Sequence, residues 1–238
     1  MIAAPKAEAV EKTFAGIASR YDLANHLLSF GLDFSWRRRL VEACSSSQPE
    51  RVLDLATGSG DVAFALRSAL PASAEIIGLD FCQAMLDQAE LKAKKRGGPP
   101  SLSFVHGDCL DLPFDDASFD AVTIAFGLRN FEDRSSGLAQ IHRILRPGGT
   151  LLVLEFTQPE RWFRPFYYFY LRGALPILAW IVTRDRQAYR YLGSSIQGFP
   201  DRAGLTAELL GSGFSKVSCR SMTASIVAIH GGKKSISS

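Results

Sequence analysis

Val52-Leu53-Asp54-Leu55-Ala56-Thr57-Gly58-Ser59-Gly60-Asp61 is the stretch from which the fold of this chain can be read. A short apolar run ends in a carboxylate, and two glycines one residue apart follow before a helical pattern begins. A loop leaving a parallel strand must turn tightly and let a ligand approach its backbone, and Gly58 and Gly60 permit both. The helix that follows aims free N–H groups at whatever sits above the loop. On its own the loop is not decisive, because Gly58-x-Gly60-x-x-Ala63 also matches a dinucleotide fingerprint.

Outward from this loop, short apolar runs alternate with helical patterns, the signature of βαβ units and a parallel sheet. Arg51–Leu55 reads as the first strand, Glu75–Asp80 as the second and Ser101–Gly107 as the third. Phe119–Ala125 is the fourth and Thr150–Glu155 the fifth, entered through a turn at Pro147-Gly148-Gly149. Helices are expected from the Gly loop to about Leu70, over Cys82–Arg96 and over Ser135–Leu145, with a sharp break at Gly97-Gly98-Pro99-Pro100. The last part reads as a helix, Asp201–Leu210, then two strands within Phe214–His230 around a turn near Ser221–Ala224. Such a terminal antiparallel pair suits the far edge of the sheet.

The chain divides into residues 1–48, a helical cap ending in the polar linker Ser45-Ser46-Ser47-Gln48-Pro49; 49–158, the core; 159–200, rich in aromatics and arginines; and 201–238, the closing helix and strand pair. All four read as parts of a single domain, since 238 residues bury one good core with some length left for a lid. Hydrophobic content of 47% and charged content of 21% exclude a disordered chain. A net charge of +3 is too weak to imply nucleic acid, although it tolerates an anionic membrane surface. Cys44, Cys82, Cys109 and Cys219 lack C-x-x-C spacing, so neither a zinc site nor a disulfide framework is expected, and reduced thiols suit a cytoplasmic protein. Met1–Arg20 has no apolar run of the signal-peptide kind. The charge-free part of the most apolar segment, Gly173–Thr183, is too short to span about 30 Å of hydrocarbon.

Asp80 ends the second strand some twenty residues beyond the glycines, where a carboxylate accepts hydrogen bonds from both ribose hydroxyls of an adenine nucleoside. It serves equally as a helix cap, and it does not separate NAD from S-adenosylmethionine. Two features do. In methyltransferases an acidic residue after the third strand, here Asp108, can meet the adenine amino group, with the next amide, that of Cys109, at a ring nitrogen. Asp54, inside the strand end, is out of place beside a pyrophosphate. It is sensible beside a zwitterion whose ammonium it attracts while helix N–H groups take the carboxylate.

Four further stretches extend the pattern: Tyr21-Asp22-x-x-Asn25-x-x-x-Ser29-x-Gly31 with Trp36-Arg37; Phe126-Gly127-Leu128-Arg129-Asn130; Arg146-Pro147-Gly148-Gly149 through Leu154-Glu155-Phe156; and Tyr189-Arg190-Tyr191-Leu192-x-x-Ser195-Ile196 with Met222-Thr223-x-x-Ile226-Val227-Ala228-Ile229-His230. With the Gly loop they closely resemble the ubiquinone/menaquinone biosynthesis C-methyltransferases over nearly the whole chain. Gly127-Leu128-Arg129-Asn130 is the most specific of these, whereas the Gly loop is shared by hundreds of methyltransferases. Thr57 and Ser59 stand where the family often has Cys or Gly and Thr, and Ala125 stands where some members carry Ser.

The resemblance implies an α/β, class I methyltransferase Rossmann-like fold: a doubly wound, mostly parallel seven-stranded sheet with an antiparallel C-terminal strand. It implies S-adenosylmethionine as donor and no metal. The donor contacts would be Asp54, Gly58, Ser59, Gly60, Asp80, Asp108 and Cys109. The implied reaction is C-methylation of a prenylated quinol by direct displacement at the sulfonium methyl. Demethylmenaquinol is preferred because the chain is compact and without an organelle-targeting extension; a polyprenyl methoxy-benzoquinol of ubiquinone biosynthesis is the alternative. Arg129 would stabilise phenolate charge or orient a water, with Asn130 beside it and Tyr21 and Asn25 facing the ring. Among the histidines, His106 borders the adenine region, His142 and His230 read as structural, and His26 alone merits a test as base.

Trp162–Thr183, with Phe163, Phe166, Tyr167, Tyr168, Phe169 and Tyr170, suits a lid for a prenyl tail, a peripheral contact with the inner face of the cell membrane, or a homo-oligomer interface. Other readings remain: a methyltransferase for another small molecule or RNA, an NAD-dependent dehydrogenase, or a noncatalytic scaffold that binds the donor.

Overall fold

A computed structural model describes residues 21–98, 100–174 and 193–236, together with residues 11, 15, 16 and 18. Most of Gly173–Thr183 and the stretch Tyr189-Arg190-Tyr191-Leu192 lie outside the described residues, as does most of the chain before Tyr21.

Two helices, α1 (Tyr21–Leu28) and α2 (Leu32–Ser45), precede β1 (Arg51–Leu55), α3 (Asp61–Ala69), β2 (Glu75–Asp80), α4 (Gln83–Lys95) and β3 (Leu102–His106). Then come β4 (Phe119–Ala125), a 3₁₀ turn (Leu128–Asn130), α5 (Arg134–Ile144), β5 (Leu145–Phe156) and α6 (Arg164–Phe169), which runs on as a wider turn over Tyr170–Ala174. After a short helical segment at 193–198, the chain closes with α7 (Arg202–Gly211), β6 (Phe214–Met222) and β7 (Val227–Lys234).

The strands form one sheet of order β3-β2-β1-β4-β5-β7-β6. The first five pair in parallel and β7 lies antiparallel to both β5 and β6, the arrangement expected. Four of the five β1 residues are buried, as a strand covered on both faces requires. One face packs through Leu53, Leu55, Val122 and Ile124 against Leu138, Ile141 and Leu205 of α5 and α7. The other packs through Val52, Ile76 and Ala121 against Trp36, Leu40, Val62 and Leu66 of α2 and α3. Strand order reverses between β1 and β4, so a crevice opens at their carboxyl ends.

Several boundaries differ from expectation. Pro147-Gly148-Gly149 is not a turn before β5 but a bulge within it: Leu145 already pairs with Phe119, and the register slips before Thr150 pairs with Ala121. Gly148, at φ +82°, absorbs the bend. At the other end β7 runs beyond His230 to Lys234, because Gly231 and Gly232 lie where Ser218 and Phe214 of β6 approach closely. The expected turn shifts to Thr223–Ser225, three successive residues with positive φ.

Candidate active site

The carboxyl ends of β1, β2, β3 and β4 surround a cavity of about 170 Å³. Gly58, Asp80, Asp108, Cys109 and Asn130 line it together with Leu79, Met85, His106, Phe126 and Phe131. Asp80 is buried; one carboxylate oxygen accepts the Gly58 N–H at 2.8 Å and the other the Cys82 N–H at 2.9 Å. It therefore ties the Gly loop to the start of α4 and still has lone pairs for two further donors. Burial pushes its carboxyl up, opposed by these N–H bonds. Gly58 and Gly60 have φ +57° and +84°. A Cβ on Gly60 would come within 2.9 Å of the Phe64 ring and 3.0 Å of Phe104. The loop thus needs glycine for conformation and for space.

Asp108 caps its own turn, accepting the Leu110 N–H at 2.9 Å. Burial, with the Asp108 charge beside it, pushes the Cys109 thiol far up, so this cysteine stays protonated and is no nucleophile. The His106 ring meets the Phe81 carbonyl at 2.9 Å.

The other expected donor residues do not line this cavity. Asp54 is buried, and its two oxygens accept the Thr57 and Thr123 hydroxyls at 2.6 and 2.7 Å. It fastens the loop to β1 and β4. Burial raises its carboxyl to about 6 against these hydroxyl bonds, with the Asp80 charge adding to the rise. Ser59 is also buried, donating to Asp22 at 2.5 Å and accepting from Lys92 at 3.0 Å. Lys92 pairs as well with Asp22 at 2.6 Å and Asp61 at 2.7 Å. This cluster clamps α1 onto the Gly loop.

A second cavity, of about 290 Å³, lies between α1, α2, α6 and the β6–β7 turn. Its walls are aromatic, from Phe126, Phe156, Phe163, Phe166, Tyr167 and Tyr170, and Asn25, Ser29, Asp33, Arg37 and Arg129 are its polar groups. Arg129 and Asn25 were expected here; Tyr21 begins α1, but its side chain lies outside the described atoms. The N-terminal cap, the core, the aromatic segment and the C-terminal turn all contribute to this cavity.

Arg129 and Glu155 form a buried pair, Nη1 to Oε1 at 2.8 Å. The same guanidinium donates to the Phe126 carbonyl and sits 5.3 Å from the Phe156 ring centroid. Asp33 is buried and receives Ser29 Oγ at 2.7 Å, the His26 ring at 2.6 Å and Arg37. Burial works against its ionisation, but the Ser29 bond and the Arg37 and His26 partners hold it below the usual range. Trp36 Nε1 donates to Thr223 Oγ1 at 2.9 Å, fixing α2 to the β6–β7 turn.

Phe126 lines both cavities. It sits at φ +59°, unusual for so bulky a residue, and Ala56 at the end of β1 has φ +55°. A Cβ on Gly127 would lie 2.5 Å from that of Ala56. The β1 and β4 loops are thus pressed together, which leaves one aromatic ring as the wall between two chambers. A largely apolar crevice carrying the carboxylates of Asp80 and Asp108 opens on one side and an aromatic chamber on the other, a layout that would let a small group pass between them.

A model of the ubiE/COQ5 methyltransferase family matches residues 2–234. The chain belongs to that family. It is an S-adenosylmethionine-dependent methyltransferase, as the motifs implied. It is 46% identical to the demethylmenaquinone methyltransferase of Thermus thermophilus over 93% of this chain and 99% of that one. Identity to the demethylmenaquinone methyltransferase of Deinococcus radiodurans is 43%, over 96% and 94%. It is 38% to the ubiquinone/menaquinone biosynthesis C-methyltransferase UbiE of Geotalea daltonii, over 96% and 97%. Among solved structures, an S-adenosylmethionine-dependent methyltransferase of Thermotoga maritima shares the fold, with TM-score 0.64 at 17% identity over 94% of this chain and 98% of that one.

Several residues in or behind this methyltransferase's two cavities escape a reading of the sequence. Phe126 and Glu155 stand inside recognised motifs, but nothing in their type assigns them a place. The ties between Asp22, Ser59 and Lys92 and between Trp36 and Thr223 join segments too distant in sequence for spacing to reveal them.

Proposed function

We propose that this methyltransferase transfers a methyl from S-adenosylmethionine to a ring carbon of a prenylated quinol, demethylmenaquinol in the first place. The observation that carries the reading is the pair of chambers sharing the Phe126 wall, one with a nucleoside-type carboxylate and the other aromatic with a buried arginine. The names of the Thermus and Deinococcus relatives support the naphthoquinol over a methoxy-benzoquinol.

When bound, the donor supplies an electrophilic sulfonium methyl, which the ring carbon takes as the thioether leaves, and that carbon then loses its hydrogen as a proton to water, restoring the aromatic quinol. Asp80 is suited to hold the ribose, and Asp108 with the Cys109 amide the adenine. Asp54 lies behind the loop, where its buried charge favours a cationic ligand through space rather than by contact. Arg129 lies where it can stabilise the phenolate form, which drives carbon attack, and Asn25 and Tyr21 are proposed to fix the ring's orientation, whereas Asn130 lines the donor cavity and not the acceptor cavity where it was expected. The aromatic walls exclude water. His26 is engaged by Asp33 and stacks on Phe34 at 4.2 Å; it does not line the acceptor cavity. No step in this scheme calls for a metal.

Phe30, Phe166 and Phe169 are 75%, 68% and 78% exposed, and Phe30 and Phe166 also line the acceptor cavity. Such a rim suits a prenyl tail partly held in lipid, so we place the protein at the membrane surface. No helix among the described residues is long and apolar enough to cross a membrane. The test is methyl transfer from labelled donor to short-chain demethylmenaquinol and to the matching benzoquinol. Transfer to neither would refute the reading. Failure to sediment with anionic liposomes would refute only the membrane contact.

A further inference from the structure

The Arg129–Glu155 pair is costly as a stabilising device. Both side chains are buried, and such a pair is seldom more stable than apolar residues of the same volume. The arrangement is also one-sided. Glu155 is well served, accepting Arg129 Nη1 at 2.8 Å, the Phe156 N–H at 2.8 Å and the Arg129 N–H at 3.3 Å. Arg129 is not: its buried Nε has no hydrogen-bond partner among the described residues. A guanidinium that lines a cavity with part of its donor capacity unused is not held for folding alone.

Resting on the quinol reading above, we propose that Glu155 is a positioning residue for the acceptor: it grips Arg129 Nη1, leaves the cavity-facing part of the guanidinium for the substrate oxygen, and offsets the arginine's charge. The chamber's other charges are arranged alike, since Arg37 is paired with Asp33. Tyr167, which faces the Arg129–Glu155 pair from α6, is pushed up by burial and stays neutral. With its charges paired off, the chamber suits an uncharged hydroquinol that ionises in place, and not a permanently anionic acceptor such as a ring carboxylate.

Orientation and charge are separable by two substitutions. Glu155→Gln keeps an oxygen for Arg129 Nη1 but removes the negative charge. Arg129 then acts on the acceptor uncompensated and eases its ionisation. The acidic limb of kcat for demethylmenaquinol, which reports ionisation within the bound complex, should move to lower pH, on the order of one unit for a charge at this range in a protein interior. Glu155→Asp keeps the charge and withdraws the carboxylate by one methylene. Its limb should stay at the wild-type pH while kcat falls on the order of tenfold, with affinity for S-adenosylhomocysteine retained. Calorimetric titration with S-adenosylhomocysteine checks that each variant is folded. Should the Gln variant not fold, the Asp variant decides alone. A folded Gln variant with an unmoved limb, or an Asp variant with full kcat, overturns the proposal. A wild-type protein inactive on every quinol refutes the functional reading instead.

Discussion

The donor cavity and the acceptor cavity meet at Phe126, yet they are built in opposite ways. The first is cut into the carboxyl edge of a parallel sheet, and its polar groups are held by neighbours close in sequence or by adjacent strands. Asp80 binds the Gly58 and Cys82 amides, Asp108 binds the Leu110 amide, and behind the cavity Asp54 binds Thr57 and Thr123. The second is assembled from segments that touch only after folding: α1, α2, the end of β4, the end of β5, α6 and the β6–β7 turn. Its charged groups are paired with opposite charges in an aromatic wall. On the proposed reading, a cofactor common to many enzymes is met by a rigid edge, and a particular acceptor by an assembly whose pieces can vary separately. If that division is real, substitutions on the two sides should fail in different ways.

The sharpest break should come at Arg129. Arg129→Ala removes the group facing the proposed phenolate and strands Glu155 in the interior. Turnover at saturating donor should fall on the order of 10²–10³-fold, as for the loss of a donor to a developing oxyanion. Stability should drop by roughly 3–5 kcal/mol from the uncompensated carboxylate. Affinity for S-adenosylhomocysteine, measured on the folded fraction, should stay near that of the wild type. On the donor side, Asp80→Ala should do the reverse. Donor affinity should weaken about 10–100-fold, as hydrogen bonds to a charged group are lost, while kcat at saturating donor is largely kept. Equal loss of donor affinity in both variants would abolish the division.

The same contrast governs how much is legible in the sequence. β1, β2 and β4 begin and end where expected, because covered parallel strands are largely apolar and each of these ends in a carboxylate or runs into a glycine within three residues. Gly58, Asp80, Asp108 and Cys109 follow from their positions after successive strands, and the fold makes those positions converge. Asp54 and Ser59 are legible as residues of the loop but not by contact: each faces a partner, Thr123 or Asp22, supplied from elsewhere in the chain. In the acceptor chamber only the family resemblance points to Arg129 and Asn25. Glu155 lies in an apolar strand, and only the fold reveals that its burial is answered by Arg129. The β5 bulge is hidden because Pro-Gly-Gly is the chemistry of a turn, and sheet pairing on both sides overrides it.

A finer test of the donor side uses Asp54, whose carboxyl is raised from an ordinary 3.8 to about 6 by burial. A group with its folded value above its unfolded one gives its full stabilising contribution below the unfolded value and loses it as pH rises through the folded value. A rise of this size corresponds to a loss on the order of 3 kcal/mol between roughly pH 4 and pH 7. Asp54→Asn should flatten the part of the Tm–pH curve that this group causes. Donor affinity of the wild type should also rise with pH through about 6, since a cationic ligand favours the ionised carboxyl, and that rise should be absent in the variant. Parallel curves for the two proteins would mean that Asp54 only fastens the loop.

The smallest effect should come from the chamber's outer rim. Phe166 and Phe169 on α6 are largely exposed, so replacing both with Ser costs little in folding. If the rim carries the prenyl tail, the loss of partly buried apolar contact is about 1 kcal/mol, a roughly fivefold rise in KM. That rise should appear only with long-chain acceptors and vanish with a quinol bearing one prenyl unit, because a short tail ends inside the aromatic walls. Donor affinity should be unchanged in both assays. A KM that rises equally for short and long tails would mean that the rim shapes the chamber itself. The boundary between a variable acceptor assembly and its lipid-facing mouth would then lie further out than α6.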